Sequence, residues 1–172
     1  HDGLDHVVRI ANFYQSLTDG ELVPRWAGNL NWGYGHPILM FLYPLPSYSA
    51  SFFHLFWFSF VDSFKLVLAV SYVLSGIFMY LWLKEFLEKN SAILGAVLYL
   101  FAPYRFIDLY VRGALGEHVA FIFLPLILLA LIKLNRNKTT NQVRSLYIHV
   151  IFAAISFAFL MLSHNAISLL FM

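Results

Sequence analysis

The chain has no cysteine among its 172 residues. That excludes a disulfide, a thiolate zinc site and a thiol redox couple. Charge is scarce at 12% of residues, about half the roughly 25% usual in soluble domains. The net charge of +2 is too small to mark a nucleic-acid binder. The sequence has no phosphate-binding loop, no nucleophile elbow and no His-Glu-x-x-His motif, and Trp32-Gly33-Tyr34-Gly35 is not a dinucleotide fingerprint. It shows no internal repeat and no low-complexity segment. The first 21 residues are polar where a secretory signal needs an apolar core. What is abundant is apolar: 60% hydrophobic and 19% aromatic residues, with a mean hydropathy of +0.72. This composition predicts an all-α, polytopic transmembrane protein. A start at His1 and an end inside an apolar run lead us to expect an N-terminal fragment of a longer chain.

Residues 1–46 hold most of the polar chemistry. Within them, Leu4, Val7, Val8, Ala11, Tyr14 and Leu17 recur at helical spacing and predict an amphipathic helix over 4–17. Asp5, His6, Arg9, Asn12 and Ser16 take its opposite face, and Asp2 extends that face at the start, where a carboxylate suits the helix dipole. Such a helix lies in a membrane interface rather than crossing it. Thr18-Asp19-Gly20 stops it, and Asp19 and Glu21 read as solvated residues flanking a turn. The stretch that follows, to Pro46, is a long loop rich in Gly, Pro, Trp and Tyr. Loops of that length are uncommon unless functional. Trp26, Trp32, Tyr34 and Tyr43 suit the headgroup zone.

Residues 46–60 are apolar but short of the roughly 20 needed to span, and read as a partly inserted helix. Spans are predicted over 64–84, 91–104, 118–134 and 145–163, with a second polar loop over 104–118. Charge orients them. Lys84, Lys89, Lys133, Arg136, Lys138 and Arg144 stand against only Glu85 and Glu88 on one side. On the other, five basic residues meet seven acids. Basic residues favour the cytoplasm. Segments 1–46, 104–118 and 163–165 are therefore expected outside a cell membrane crossed several times.

Three polar groups converge on that outer side. The first is Asp2, Asp5, His6 and Arg9; the second is Arg105, Asp108, Arg112, Glu117 and His118; the third is His164 and Asn165. Arg105, Asp108 and Arg112 are three and then four residues apart, which is helical spacing. Arginine suits phosphate because its planar fork donates two hydrogen bonds at once. Nearby acids can accept a proton or hold a divalent cation. Simple salt bridges, Asp5 with Arg9 and Asp108 with Arg112, are the structural alternative. Ionisable residues at membrane depth are usually functional, so a shared site is the favoured expectation. His36 lies in a Gly-Tyr-Gly-His-Pro turn, and His54 reads as structural.

The order of motifs resembles one bacterial and archaeal family. It runs D-G-x-x-H at Asp2 to His6, P-R-W at Pro24 to Trp26, G-Y-G-x-P at Gly33 to Pro37 and Y-P-L-P at Tyr43 to Pro46. P-Y-R-x-x-D-x-Y-x-R-G-A-x-G-E at Pro103 to Glu117 and S-H-N at Ser163 to Asn165 continue it. That family is the integral membrane proteins labelled "6-pyruvoyl-tetrahydropterin synthase-related". The synthase itself is a small soluble zinc enzyme, and nothing here resembles its sequence. The layout is similar to GT-C superfamily membrane glycosyltransferases, including the oligosaccharyltransferase catalytic subunit. The resemblance implies a GT-C-like fold with interfacial helices in its first external loop. It also implies sugar transfer from a polyprenyl-phosphate-linked donor on the extracytoplasmic face to an unknown acceptor. By position, Asp2 would be the first-loop acid and Glu117 the second-loop acid, a single acid where the oligosaccharyltransferase has a pair.

The expected catalytic residues are therefore Asp2, Asp5 and His6. Those expected to bind substrate or phosphate are Arg9, Arg105, Asp108, Arg112, Glu117, His164 and Asn165. A divalent metal such as Mg or Mn, held by Asp2 or Glu117, is a candidate cofactor. The alternative is a non-enzymatic lipid-phosphate binder or a transporter of an anionic substrate.

Overall fold

The computed structural model describes residues 2–140 and 143–171, without the side chains of 137–140 and 143–145. It is mainly helical, and no strand occurs among the described residues. Helix α1 spans Gly3–Thr18. A loop follows, pinned where Ala27 and His36 exchange two backbone hydrogen bonds of 2.9 and 3.0 Å. The short α2 (Ile38–Phe41) leads into α3 (Leu45–Leu55). Helix α4 (Phe60–Leu83) begins at a clear signal: the Ser59 hydroxyl accepts from the Asp62 N–H at 3.1 Å and donates to the Asp62 carboxylate at 2.6 Å. Helices α5 (Lys89–Leu100) and α6 (Pro103–Phe106) come next, and α6 continues as a π-helical turn over Ile107–Arg112. The chain closes with α7 (Leu115–Thr140), α8 (Val143–Ser163) and α9 (Asn165–Phe171).

Three helices are long and apolar enough to cross a membrane: Phe60–Leu83, Leu115–Arg136 and Leu146–Ser163. At 1.5 Å per residue, about 20 residues cover a hydrocarbon core of roughly 30 Å. The middle one is central. In α7 72% of the span is buried, against 28% in α4 and 17% in α8. The core accordingly gathers Val67, Leu68, Val119, Ile122, Phe123 and Leu126 between α4 and α7.

Two expectations change. Residues 91–104, predicted as one span, are broken after Leu100. The helical pieces Lys89–Leu100 and Pro103–Arg112 meet at 44° and would together make a fourth span. Pro103 lacks an N–H to continue α5, and the Leu100 carbonyl left over accepts from the Tyr72 hydroxyl at 3.0 Å. Second, the loop expected over 104–118 is almost wholly helical. The spacing of Arg105, Asp108 and Arg112 is the helical one already noted, and only Gly113 and Ala114 separate the turn from α7. Helix α7 also runs past the predicted end at 134. The polar turn expected there reaches 141–142, and the Lys138 and Arg144 side chains counted in the charge balance also lie outside the described residues.

Pro125 lies inside α7 and removes the N–H that the Phe121 carbonyl would receive. The Tyr99 hydroxyl of α5 donates to that carbonyl at 2.9 Å, which is how a proline becomes tolerable in an apolar helix.

Candidate functional site

The site forms where α6, the π-helical turn and α7 meet. Gly113 ends the turn in the left-handed region, at φ +65°, a conformation that suits glycine. A Cβ there would also come within 3.4 Å of the Gly3 nitrogen. This close approach lets the Asp2 N–H donate to the Arg112 carbonyl at 3.0 Å. The start of α1 is thus bonded to the end of the second polar segment.

Asp108 and Glu117 are buried at 0% and 6% exposure, and Arg112 bridges them. Its guanidinium lies 3.3 Å from Asp108 Oδ1 and 2.7 Å from Glu117 Oε1. It also donates to the Tyr104 hydroxyl at 3.1 Å, and that hydroxyl donates to Glu117 Oε2. The fully buried His118 places Nδ1 2.9 Å from Asp108 Oδ2. All four carboxylate oxygens therefore have donors. Two buried acids without such partners would be strongly destabilising.

His164 approaches from the end of α8, with Nε2 3.9 Å from Glu117 Oε1. Its Nδ1 accepts the Ile167 N–H at 3.2 Å, capping α9, so the ring proton sits on Nε2, toward Glu117. Burial pushes His164 below the ordinary histidine value, although Glu117 pulls the other way. Tyr43 packs on the His164 ring at 4.9 Å. Gly116 makes room for both: a Cβ there would come within 2.0 Å of the Tyr43 ring and 2.7 Å of the Ser163 carbonyl. Burial, then the Glu117 charge, raises the Tyr43 hydroxyl above its usual value. On its far side Tyr43 lines a small depression with His6, Arg9 and Leu115. His6 stacks on Phe64 at 6.2 Å, and burial and the Arg9 charge lower its pKa.

The expected residues thus divide. Asp108, Arg112, Glu117 and His164 form one connected cluster. His6 and Arg9 flank it across Tyr43, and Asp2 joins through its backbone. Asp2 and Asp5 are exposed, and among the described residues neither carboxylate is paired with a cation. Asn165 is exposed at the start of α9, with its carbonyl accepting from Ser168. Arg105 departs from its expected role. It is only 2% exposed, and its guanidinium lies 5.2, 5.2 and 4.6 Å from the ring centres of Tyr72, Tyr99 and Phe121. The aromatic faces attract the cation and close it off from any phosphate outside. Neither Tyr43 nor Tyr104 was expected in the cluster, and His118, expected in the second polar group, had no expected partner. Tyr43 and Tyr104 are two of ten tyrosines, and the His118–Asp108 contact spans ten residues.

At Glu117 the donor set does not suit a divalent metal. An ion at Glu117 would have to displace Arg112 and Tyr104, and among the described residues no three His, Asp or Glu side chains are placed to share one.

No family model matches the chain, and no solved structure matches it. It is 26% identical over 135 residues to a protein of Lactococcus lactis subsp. cremoris (strain MG1363) described as uncharacterized. The match covers 74% of this chain and 22% of that protein.

Proposed function

We propose that this chain is part of a GT-C-like membrane glycosyltransferase of the "6-pyruvoyl-tetrahydropterin synthase-related" kind. It would transfer sugar from a polyprenyl-phosphate-linked donor on the extracytoplasmic face. The observation that carries the reading is the Asp2 N–H to Arg112 carbonyl bond. It holds an unpaired exposed acid beside a buried ionic cluster at the end of an apolar helix. A cleft of about 700 Å³ runs between α3, α4, α7 and α8, lined by apolar side chains such as Leu45, Phe53, Val119 and Phe123, and the side chains of the cluster are not among its lining. In this reading the apolar cleft would take a hydrocarbon tail and the half-exposed Arg112 an anionic head.

In this mechanism the Asp2 carboxylate takes the proton of an acceptor hydroxyl. The oxygen attacks the anomeric carbon, the bond from that carbon to the phosphate oxygen breaks, and the electron pair leaves on the phosphate. Arg112, 43% exposed at its side chain, and Arg9 stand where they can stabilise that charge. Glu117, Tyr104 and Asp108 hold Arg112 in place. General-base help of this kind contributes about 10²–10⁴-fold. We expect Asp2→Asn in the full-length protein to lower transfer from lipid-linked sugars by at least about 10²-fold, with Asp5→Asn close to the parent. Parent-rate transfer by a folded, inserted Asp2→Asn protein would overturn the assignment.

One observation favours the alternative, a transporter or binder of an anionic lipid: the 44° break between α5 and α6, since broken helices are common in transporters. Substrate flux across proteoliposomes without glycosidic bond formation would select it.

A further inference from the structure

A second cavity of about 190 Å³ lies at the other end of α1, between that helix and the loop carrying Trp26. We propose that it is a binding cleft for a pyranose sugar ring. Gln15, Ser16, Asp19 and Glu21 edge it, and Trp26 forms a wall. Its shape is built rather than incidental. Asn12 is buried and fixes both sides, donating to the Val8 carbonyl at 3.0 Å and accepting from the Asn29 N–H at 3.0 Å. Ser16 donates to the Trp26 carbonyl at 3.2 Å. The indole rests against Gly35, where a Cβ would come within 2.1 Å of Nε1, and 49% of Trp26 stays exposed.

The chemistry left over is selective. Gln15 donates to Asp19 Oδ1 at 3.1 Å, which leaves Asp19 Oδ2, the Gln15 carbonyl oxygen and the Glu21 carboxylate as acceptors. Acceptors on neighbouring residues suit vicinal hydroxyl donors. A flat aromatic wall suits the apolar C–H face of a sugar, as it suits other half-apolar partners. Asp19 and Glu21, which read from sequence as solvated turn residues, thereby gain a role. Asp5, Arg9, Asn12, Ser16 and Asp19 follow one another at intervals of four and three, so they share one face of α1. Ten residues of helix separate His6 from Ser16, roughly 15 Å. A short glycan seated in the cleft would point along this polar stripe toward Asp2.

The inference rests on the cleft alone, not on the transfer chemistry. The test is saturation-transfer NMR on the full chain in nanodiscs. Probes are the methyl glycosides of glucose, mannose, galactose and N-acetylglucosamine, with ethanolamine and tetramethylammonium as cationic controls. We expect at least one glycoside to bind through its ring protons. Glu21→Gln or Asp19→Asn should weaken it about tenfold, the size of a lost charge-assisted hydrogen bond. Trp26→Ala should abolish the signal and Trp26→Phe should keep it. Binding only by the ammonium probes, no glycoside binding, or glycoside binding indifferent to both acid variants would each overturn the proposal. Asp2→Asn should leave this binding intact, so failure of transfer and failure of the cleft are separable.

Discussion

Helix α7 carries an ionic group at each end, and the two differ in kind. At its start, Glu117 and His118 join Asp108 and Arg112, with both carboxylates buried. At its far end, Lys133 and Arg136 reach the Glu85 carboxylate from side chains that are 44% and 67% exposed, and the Lys133 contact is 3.9 Å. The outer pair is a clasp between α7 and the end of α4, screened by solvent. In the inner cluster Arg112 is nearly as exposed as Lys133, at 43% against 44%, but both carboxylates are enclosed and each of their oxygens has a donor. Exposed pairs contribute about 0–1 kcal/mol. Enclosed ones add little over an apolar core, yet breaking one is costly. A molecule keeps such a cluster at the end of an apolar helix for specificity or chemistry, rather than for net stability.

The sharpest way to break the comparison is Arg112→Ala. It leaves Asp108 and Glu117 buried without their shared cation, at a cost of about 3 kcal/mol, read by denaturation in nanodiscs. A loss under about 1 kcal/mol would place the inner cluster with the clasp. Gly116→Ala should cost about 1–3 kcal/mol, because its methyl group meets Tyr43 and the Ser163 carbonyl. A crosslink or distance label between Tyr43 and His164 should report their separation.

Acidification tests the histidines beside the cluster. His6 and His164 both lie below the ordinary value of 6.5 in the folded chain. The unfolded chain therefore takes up protons first as pH falls. Their contribution is fully present above pH 6.5 and declines below it. His164→Gln should flatten part of that decline, and a melting profile against pH measures it. The smallest effect belongs to the clasp: Arg136→Ala should change stability by less than about 1 kcal/mol and lose even that at high salt.

Much of the helical architecture was legible. Apolar runs in α4, α7 and α8 are long and uninterrupted by charge, so composition alone marks them as able to span. For α1 the helix was legible but its buried side was not: Leu4 and Val8 of the expected stripe are exposed, while Ile10, Phe13 and Asn12, the last expected on the polar face, are buried. The break at Ala102 was less legible, because Pro103 ends a helix without saying whether the chain turns or bends. Reading 104–118 as a loop came from its polarity. The same polar residues are in fact a helical face turned inward, where Asp108 meets His118. The Arg105 cage could not be read at all. Tyr72, Tyr99 and Phe121 come from three helices, and only tertiary packing places them around one guanidinium. For the site, local spacing supplied Asp108 with Arg112. The bond from Asp2 to Arg112 depends on Gly113 adopting a conformation that sequence permits but does not require.

Arg105, Arg112, Asp108 and Glu117 also have a consequence for the birth of the protein. Two formal positive charges and two negative ones sit within thirteen residues of chain, and close in space once folded. If α6 and α7 enter a bilayer, this group arrives as an electrically silent unit. Moving one uncompensated charge through the membrane potential is worth about 2.3 kcal/mol per 100 mV. On the four residues together that field exerts no net pull, so the energised state of the membrane neither helps nor hinders their insertion. Removing Arg112 alone would change that balance before the protein had folded.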